Sequence, residues 1–231
     1  MIDLSRRIRR DEQMDDPDLD PAIYAAVLSD LARVNAWTFT HHATIAWLDE
    51  VAGTLPALRL LDVGFGQGDM LRAIAKWARR RNIAVDLVGV DLNPNSAAVA
   101  RSATPPGMPI DYRTGDYRDV PGPFDFVISS LVAHHMSDGE LDAFLRFMEA
   151  EAEQGWQVND LHRLRFSYYG FGLLARVIGA HRIVREDGQT SIARSFRPDD
   201  WRAILDAAGL SEGTAKIVRR FPFRLCIERR R

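Results

Sequence analysis

Two groups of residues in this chain have types and spacings that can do chemistry. The first lies in residues 58–69, LRLLDVGFGQGD, where Asp62 is followed by Gly64, Gly66 and Gly68, alternating with Phe65 and Gln67. Glycine tolerates the backbone angles of a tight turn and lets a ligand come close to the main chain. Asp91 belongs with this group: it closes the run AVDLVGVD, where a carboxylate can accept two ribose hydroxyls. The second group is His134, His135, Asp160 and His162. Imidazole titrates near neutrality and can take a proton from a reacting hydroxyl. Each of these also has a structural alternative. A histidine can pack behind a helix as a hydrogen-bond donor, and Asp160 can orient a turn or pair with Arg163.

Both groups depend on the elements that carry them. Leu58, Leu60, Leu61 and Val63 predict a strand buried on both faces. Residues 70–80 predict a helix with Leu71, Ile74, Ala75 and Trp77 on one side, its free N-terminal N–H groups facing the glycine turn. Strand, glycine turn, helix, strand and acid form a nucleotide-binding half of a doubly wound fold. A dinucleotide site has Gly or Ala three residues after the second glycine of its motif. Counting from Gly66, that position is Asp69, so NAD fits poorly. Further strands are predicted over residues 110–113, 124–129 and 155–158, with a terminal pair, TAKIVRRF and FRLCIERR, around Pro222. His134 and His135 follow the fourth strand; Asp160 and His162 follow the fifth. Ligands of open sheets bind outside the carboxyl ends of the strands, so all four are expected to face one pocket.

Helices are predicted from Pro21, with Asp20 as its cap, and over residues 40–52, 92–102 and 137–152, with another opening near Pro198 and ending at Gly209. Residues 163–190 read as an inserted helix or lid. Phe166, Tyr168, Tyr169, Phe171, Leu173 and Leu174 give it aromatic and aliphatic surface, for a pocket wall or for ordinary core or a dimer face.

The pattern D-x-G-x-G-x-G resembles motif I of the class I S-adenosyl-L-methionine (SAM)-dependent methyltransferases, with Asp62, Gly64, Gly66 and Gly68 on the matching positions. The resemblance spans roughly residues 56–231. It implies an α/β, Rossmann-like doubly wound fold: a mostly parallel seven-stranded sheet with an antiparallel C-terminal hairpin. It also implies an N-terminal helical cap over residues 1–55, a methyltransferase domain over 56–231 and a lid insertion at about 163–190. SAM is the implied cofactor, with Asp62, Gly64, Phe65, Gly66, Gly68, Asp91, Leu92, Asp116, Tyr117 and Ser130 as its expected contacts and Asp116 at the adenine amino group. The cap helices are expected to wall the substrate pocket, which makes His41 and His42 outside candidates for the base.

The subclass follows from what stands after the fourth and fifth strands. Metal-dependent catechol methyltransferases carry an Asp after the fourth and Asp-Asn after the fifth. Here the residues are Ser129-Ser130 and Asn159-Asp160, so no metal is expected. The Asn/Asp-Pro-Pro-Tyr/Phe motif of amino-methylating nucleic-acid enzymes is absent. What remains resembles the quinone-biosynthesis and polyketide-tailoring group, which implies a lipophilic aromatic or polyketide-like acceptor methylated at a hydroxyl. Carbon methylation of a quinol ring, or a SAM-fold protein that binds without turnover, are the alternatives.

Bulk composition agrees. Lys and Arg number 30 against 32 Asp and Glu, a net charge of −2, so there is no basic excess to hold nucleic acid. The arginine runs at 6–10, 79–81 and 229–231 read as solvated faces or ends. A single Cys226 excludes an internal disulfide and a thiolate metal cluster. No stretch approaches the ~20 apolar residues of a membrane span, and MIDLSRRIRRDEQ lacks the apolar core of a secretory signal. A cytoplasmic monomer or homodimer acting on a small molecule is the expectation. Residues 1–20 are charged and are expected to be poorly ordered at their start.

Overall fold

A computed structural model describes residues 2–210 and 213–231. Five strands run parallel: β1 (Ala57–Val63), β2 (Ala84–Asp91), β3 (Ile110–Thr114), β4 (Phe124–Ser130) and β5 (Ala152–Leu161). A hairpin of β6 (Lys216–Arg220) and β7 (Arg224–Arg230) adds antiparallel to β5. The order is β3-β2-β1-β4-β5-β7-β6. The chain winds outward from β1 to β3 and returns to β4 on the other side of β1, so a crevice opens between the carboxyl ends of β1 and β4.

β1 is buried on both faces because helices cover both sides of the sheet. Leu58 and Leu60 join one core with Trp47, Leu71 and Trp77, while Leu61 and Val63 join the other with Phe144, Met148 and Trp201. Successive side chains of a strand point to opposite faces, so this continuous apolar run serves two cores. α3 (Asp69–Arg81) buries Met70, Leu71, Ile74, Trp77 and Ala78 and carries Arg79, Arg80 and Arg81 in its last turn, where cations suit the helix dipole. β5 is longer than the sequence predicts, because the polar Glu153 and Gln154 hide its start; its register pairs Asn159 with Cys226 and Asp160 with Leu225.

The cap consists of α1 (Pro21–Trp37) and α2 (Thr40–Val51). The Asp20 side chain accepts from the N–H groups of Ala22 and Ile23, which fixes the start of α1. On α2, Trp47 meets Phe126 edge to face at 5.5 Å. The insertion forms two helices, α6 (Arg165–Val177) and α7 (Arg182–Arg194). Ala175 of α6 and Val184 of α7 pack with Val27 and Val34 of α1 in a third core. Three further helices complete the fold among the described residues: α4 (Ser96–Ala103), α5 (Asp138–Glu151) and α8 (Pro198–Ala207). α5 starts with a capping box formed by Ser137 and Glu140.

The start of the chain is a correction to the sequence reading. Residues 2–20 form a strap rather than a loose tail. Leu4 is buried and its carbonyl accepts from Arg163 Nε at 3.2 Å. Ile8 N–H donates to the Ala193 carbonyl, and Glu12 is buried. The charged composition hid this because the charges meet partners on the folded body.

Gly155 sits in β5 where a Cβ would overlap the Arg229 carbonyl oxygen of β7. Main chain cannot swing aside as a side chain can. Gly155→Ala is therefore expected to cost about 2 kcal/mol or more, lowering Tm by roughly 4–8 °C. Gly139→Ala, in α5 with nothing within 4 Å of the new methyl, is expected to leave Tm unchanged or raise it. Equal Tm values for both variants in thermal unfolding contradict the β5–β7 register.

Candidate active site

The glycine turn leaves β1 into the crevice. Gly64, Gly66 and Gly68 have φ of 78°, 54° and 75°, a region that side chains disfavour. A Cβ on Gly64 would overlap Val132, and one on Gly68 would overlap the Tyr112 ring. The turn is tied to the next strand: Gly64 N–H donates to the Val90 carbonyl at 2.7 Å, and Gly66 N–H donates to Asp91 Oδ2 at 2.9 Å. Asn93 N–H donates to Asp91 Oδ1. Burial raises the Asp91 pKa by more than these N–H donors lower it. Asp62 lies beneath the turn, buried, with neither carboxylate oxygen partnered among the described residues. Burial first, then the charges of Asp69 and Asp91, push its pKa well above the usual carboxylate range. Asp69 accepts from His41 Nε2 at 2.7 Å and from Asn35 Nδ2 at 3.1 Å.

The second cluster forms where β4 ends. Leu131 turns the chain at a φ of 62°, and a short 3-10 turn holds Ala133, His134 and His135. Asp160 of β5 anchors this turn. Its carboxylate accepts from His134 N–H at 2.9 Å, from His134 Nδ1 at 2.7 Å and from Leu161 N–H at 2.6 Å. Burial works against the charge, but His134 and these donors outweigh it and hold the Asp160 pKa below the ordinary value. With Nδ1–H given to Asp160, Nε2 of the neutral ring carries a lone pair. Nε2 is buried, has no hydrogen-bond partner among the described residues, and lies 3.7 Å from Glu12 Oε1.

Glu12 comes from the strap. It accepts from the Ser191 hydroxyl at 2.9 Å, and its Oε2 lies 3.9 Å from His135 Nε2. His135 Nδ1 donates to Asp15 Oδ2 at 2.9 Å. Arg194 of α7 faces both acids, 3.8 Å from Glu12 Oε1 and 3.5 Å from Asp15 Oδ2. Burial raises the Glu12 pKa, and the two histidines only partly reverse this. Burial depresses the His135 pKa, but the Asp15 hydrogen bond and the charges of Glu12 and Asp15 leave it above the ordinary value.

Both clusters open into one cavity of about 1170 Å³. Asp62, Gly64, Phe65, Gly66, Asp91, Leu92, Tyr117 and Ser130 line it, as do Glu12, Asp15, His41, His134 and His135. Much of the remaining wall is apolar: Leu28 and Leu31 from α1, Phe166, Phe171 and Leu174 from α6, and Phe221 and Phe223 from the hairpin turn. The insertion thus serves as both core and cavity wall.

Other expected positions fall elsewhere. Gly68 packs on Tyr112 and is not on the wall, and neither is His42. Asp116 is not on the wall either: its carboxylate takes Arg118 as partner and accepts Arg118 N–H to cap a turn. Asp160 reaches the cavity through His134 alone. His162 is turned to the other side of Phe223, into a separate hollow of about 550 Å³ with Arg197, Arg202, Arg219 and Arg220, because β5 runs on to Leu161 and the next residue bridges to Phe196. Burial, then the neighbouring arginines, lower the His162 pKa. Sequence reasoning missed Glu12, Asp15, Arg194 and Arg224, which stand in no motif and meet the site only through tertiary packing. Glu12, His134 and His135 each offer one atom within 4.8 Å of the others, a spacing open to a cation, although the Arg194 guanidinium already brings positive charge there.

A family model described as a methyltransferase domain matches residues 60–155. The chain is 27% identical over 175 residues to the ubiquinone biosynthesis O-methyltransferase of Bordetella avium (strain 197N), covering 72% of this chain and 67% of the relative. Among solved structures it resembles the magnesium protoporphyrin IX methyltransferase (ChlM) from Synechocystis PCC 6803 with bound S-adenosylhomocysteine (SAH). That match has a TM-score of 0.59 and 22% identity, covering 88% of this chain and 86% of that one. It also resembles the plantazolicin methyltransferase BpumL in complex with SAH, with a TM-score of 0.65 and 13% identity, covering 90% and 96%. At these identities the structural likeness establishes the fold.

The strap contacts make stability depend on pH. His135 binds its proton more tightly folded than unfolded, so its contribution is complete below pH ~6.5 and is lost as pH rises through the elevated folded value. The advantage in Tm of the wild type over His135→Gln is therefore expected to shrink from pH 6 to pH 8.5. An advantage that grows with pH contradicts the Asp15–His135–Glu12 arrangement.

Proposed function

We propose that this class I SAM-dependent methyltransferase methylates a hydroxyl on a lipophilic aromatic or polyketide-like small molecule. The observation that carries the reading is that one cavity is lined by the glycine turn, by His134 of the Asp160–His134 pair and by a broad apolar wall. The chain's relative in ubiquinone biosynthesis, an O-methyltransferase by name, supports the choice of oxygen.

The glycine-turn end fits the cofactor. Gly66 has only Leu28 at ordinary contact distance beside it, so a ligand can come close to its main chain, and Asp91 offers carboxylate oxygens for ribose hydroxyls. Asp62 has two buried oxygens lacking partners, which the ammonium group of SAM would satisfy. Phe65, Leu92, Tyr117 and Ser130 supply the remaining wall. SAM brings a methyl group already activated for displacement, so the protein's tasks are positioning, exclusion of water and removal of the acceptor proton.

His134 is suited to the last task. Asp160 holds its tautomer and orientation, as the carboxylate of a Ser-His-Asp triad holds its histidine, which makes Asp160 a positioning residue. A phenolic hydroxyl has a pKa of ~10 and is mostly protonated at neutral pH. Beside Nε2 it can give up its proton, and the imidazolium formed is stabilised by the carboxylates of Asp160 and Glu12, 2.7 Å and 3.7 Å from its two nitrogens. His162 has no part in this reading.

Three outcomes follow. Calorimetry is expected to give tight binding of SAM and SAH and weak or no binding of NAD; the reverse order sinks the reading. Asp91→Ala removes charge-assisted hydrogen bonds worth about 1.5–3 kcal/mol each, so SAM affinity is expected to fall about 10- to 100-fold with the fold intact. With phenols and quinols as acceptors and mass analysis of the products, His134→Ala is expected to lower turnover about 100-fold while SAM affinity changes by a few-fold at most. That loss is expected to shrink as pH rises and the phenol ionises unaided, and His162→Ala is expected to keep wild-type turnover. Near-wild-type turnover of His134→Ala at neutral pH leaves positioning as the whole of catalysis, and a carbon-bound methyl group in the product replaces the oxygen reading by its quinol alternative.

A further inference from the structure

Arg224 is a buried cation without an acid. It is the first residue of β7, opposite Leu161 of β5 and Arg220 of β6, and it is 4% exposed. One terminal nitrogen donates to the hydroxyls of Thr38 and Thr40. Nε and the other terminal nitrogen have no partner among the described residues, and no carboxylate there lies within ion-pair distance. Asp160 acts on it through space, but the Asp160 carboxylate already accepts from His134 and Leu161. A buried charge is normally paired, because desolvation penalises it otherwise. Burial lowers the Arg224 pKa to about 10, so the guanidinium stays charged at neutral pH.

The surroundings say where its partner would come from. Arg224, Phe221 and Phe223 stand between the main cavity and the hollow beside His162 and line both, but Thr38, Phe39 and Thr40, against which the guanidinium is held, line the main cavity alone. The other guanidinium of that wall, Arg194, already faces Glu12 and Asp15, and the His135 and His41 rings have Asp15 and Asp69 as partners. Phe39 precedes Thr40 and Phe223 precedes Arg224, and both phenylalanines sit in the left-handed region, with φ of 50° and 58°. Such conformations in bulky residues are costly and gather at ligand sites. Here they bring the Thr40 hydroxyl and the Arg224 guanidinium together. Phe39 pairs with Phe221 at 6.3 Å and Phe223 with Phe166 at 5.2 Å, and all four rings remain exposed.

We propose that Arg224, with Thr38 and Thr40, docks an oxyanion carried by the methyl acceptor, so that the acceptor is an amphipathic acid whose apolar body lies against Phe39, Phe166, Phe221 and Phe223. This rests on reading the cavity as the acceptor chamber. It adds a specificity-determining residue to that chamber and narrows the substrate class from lipophilic to lipophilic and anionic. Arginine suits this role because it keeps its charge when desolvated and offers several donors to one anion.

Binding tests it without turnover. Protein saturated with SAH is titrated calorimetrically with para-butylbenzoate, para-butylphenyl phosphate and para-butylbenzamide, which share an apolar body. One anion or both is expected to bind about 10-fold or more tightly than the amide, and the better of the two tells carboxylate from phosphate. In Arg224→Leu the preference is expected to vanish with SAH affinity unchanged, and Arg224→Lys is expected to keep part of it. Equal affinity of anions and amide in the wild type overturns the proposal, as does absence of anion binding or a preference that survives in Arg224→Leu. The wild-type comparison stands even where a variant fails to fold. Failure of hydroxyl methylation leaves this binding preference untouched, and loss of the preference leaves hydroxyl methylation standing, so the two readings fail separately.

Discussion

A carboxylate at the end of β5 cannot stay buried and charged in the middle of the sheet unless donors surround it. Asp160 meets that demand with the main-chain N–H and ring Nδ1 of His134 and the N–H of Leu161. The loop after β4 is thereby clamped to β5, and the His134 ring is held so that its free nitrogen points away from Asp160 toward Glu12. The arrangement of the histidine end follows from this clamp. The clamp works with two other ties on the same turn, the Leu131 N–H to Asn159 carbonyl bond and the bonds from Arg194 to the His134 and His135 carbonyls.

The strap supplies the other side. Glu12 and Asp15 approach the two histidines from a segment that neither pairs with the sheet nor contributes a long helix, and Arg194 of α7 holds both acids. Charges whose burial would otherwise be penalised by desolvation here meet opposite partners within 4 Å. The cavity has polar wall at the glycine turn and at the histidines and apolar wall from α1, α6 and the hairpin turn, with a further charged point at Arg224.

The parts legible in the sequence were those governed by local chemistry. The glycine turn was readable because close approach and positive φ leave few choices, and Asp91 because it ends a strand of clear apolar pattern. The order of strands and the C-terminal hairpin followed from the resemblance of the Asp62–Gly68 pattern to a known family. What depended on distant partners was not readable. Asp116 looked available for a ligand, yet Arg118 two residues on takes its carboxylate. His162 follows β5 as expected, but the strand carries it past the crevice to a different hollow. Glu12 and Arg224 carry no local signal at all; each gains meaning only when residues more than a hundred positions away, such as His134 for Glu12 and Thr40 for Arg224, come beside it.

The central claim is that one cavity takes the cofactor at its glycine turn and the acceptor against its apolar wall, with His134 as the ring that accepts the proton. The crystal structure of the protein grown with SAH tests it most directly. The account predicts ligand density against Gly64 and Gly66 with the ribose on Asp91 and the ammonium beside Asp62, leaving the space between His134 and Arg224 open. Density for SAH on Arg224 and the aromatic wall, or in the arginine-lined hollow beside His162, contradicts it.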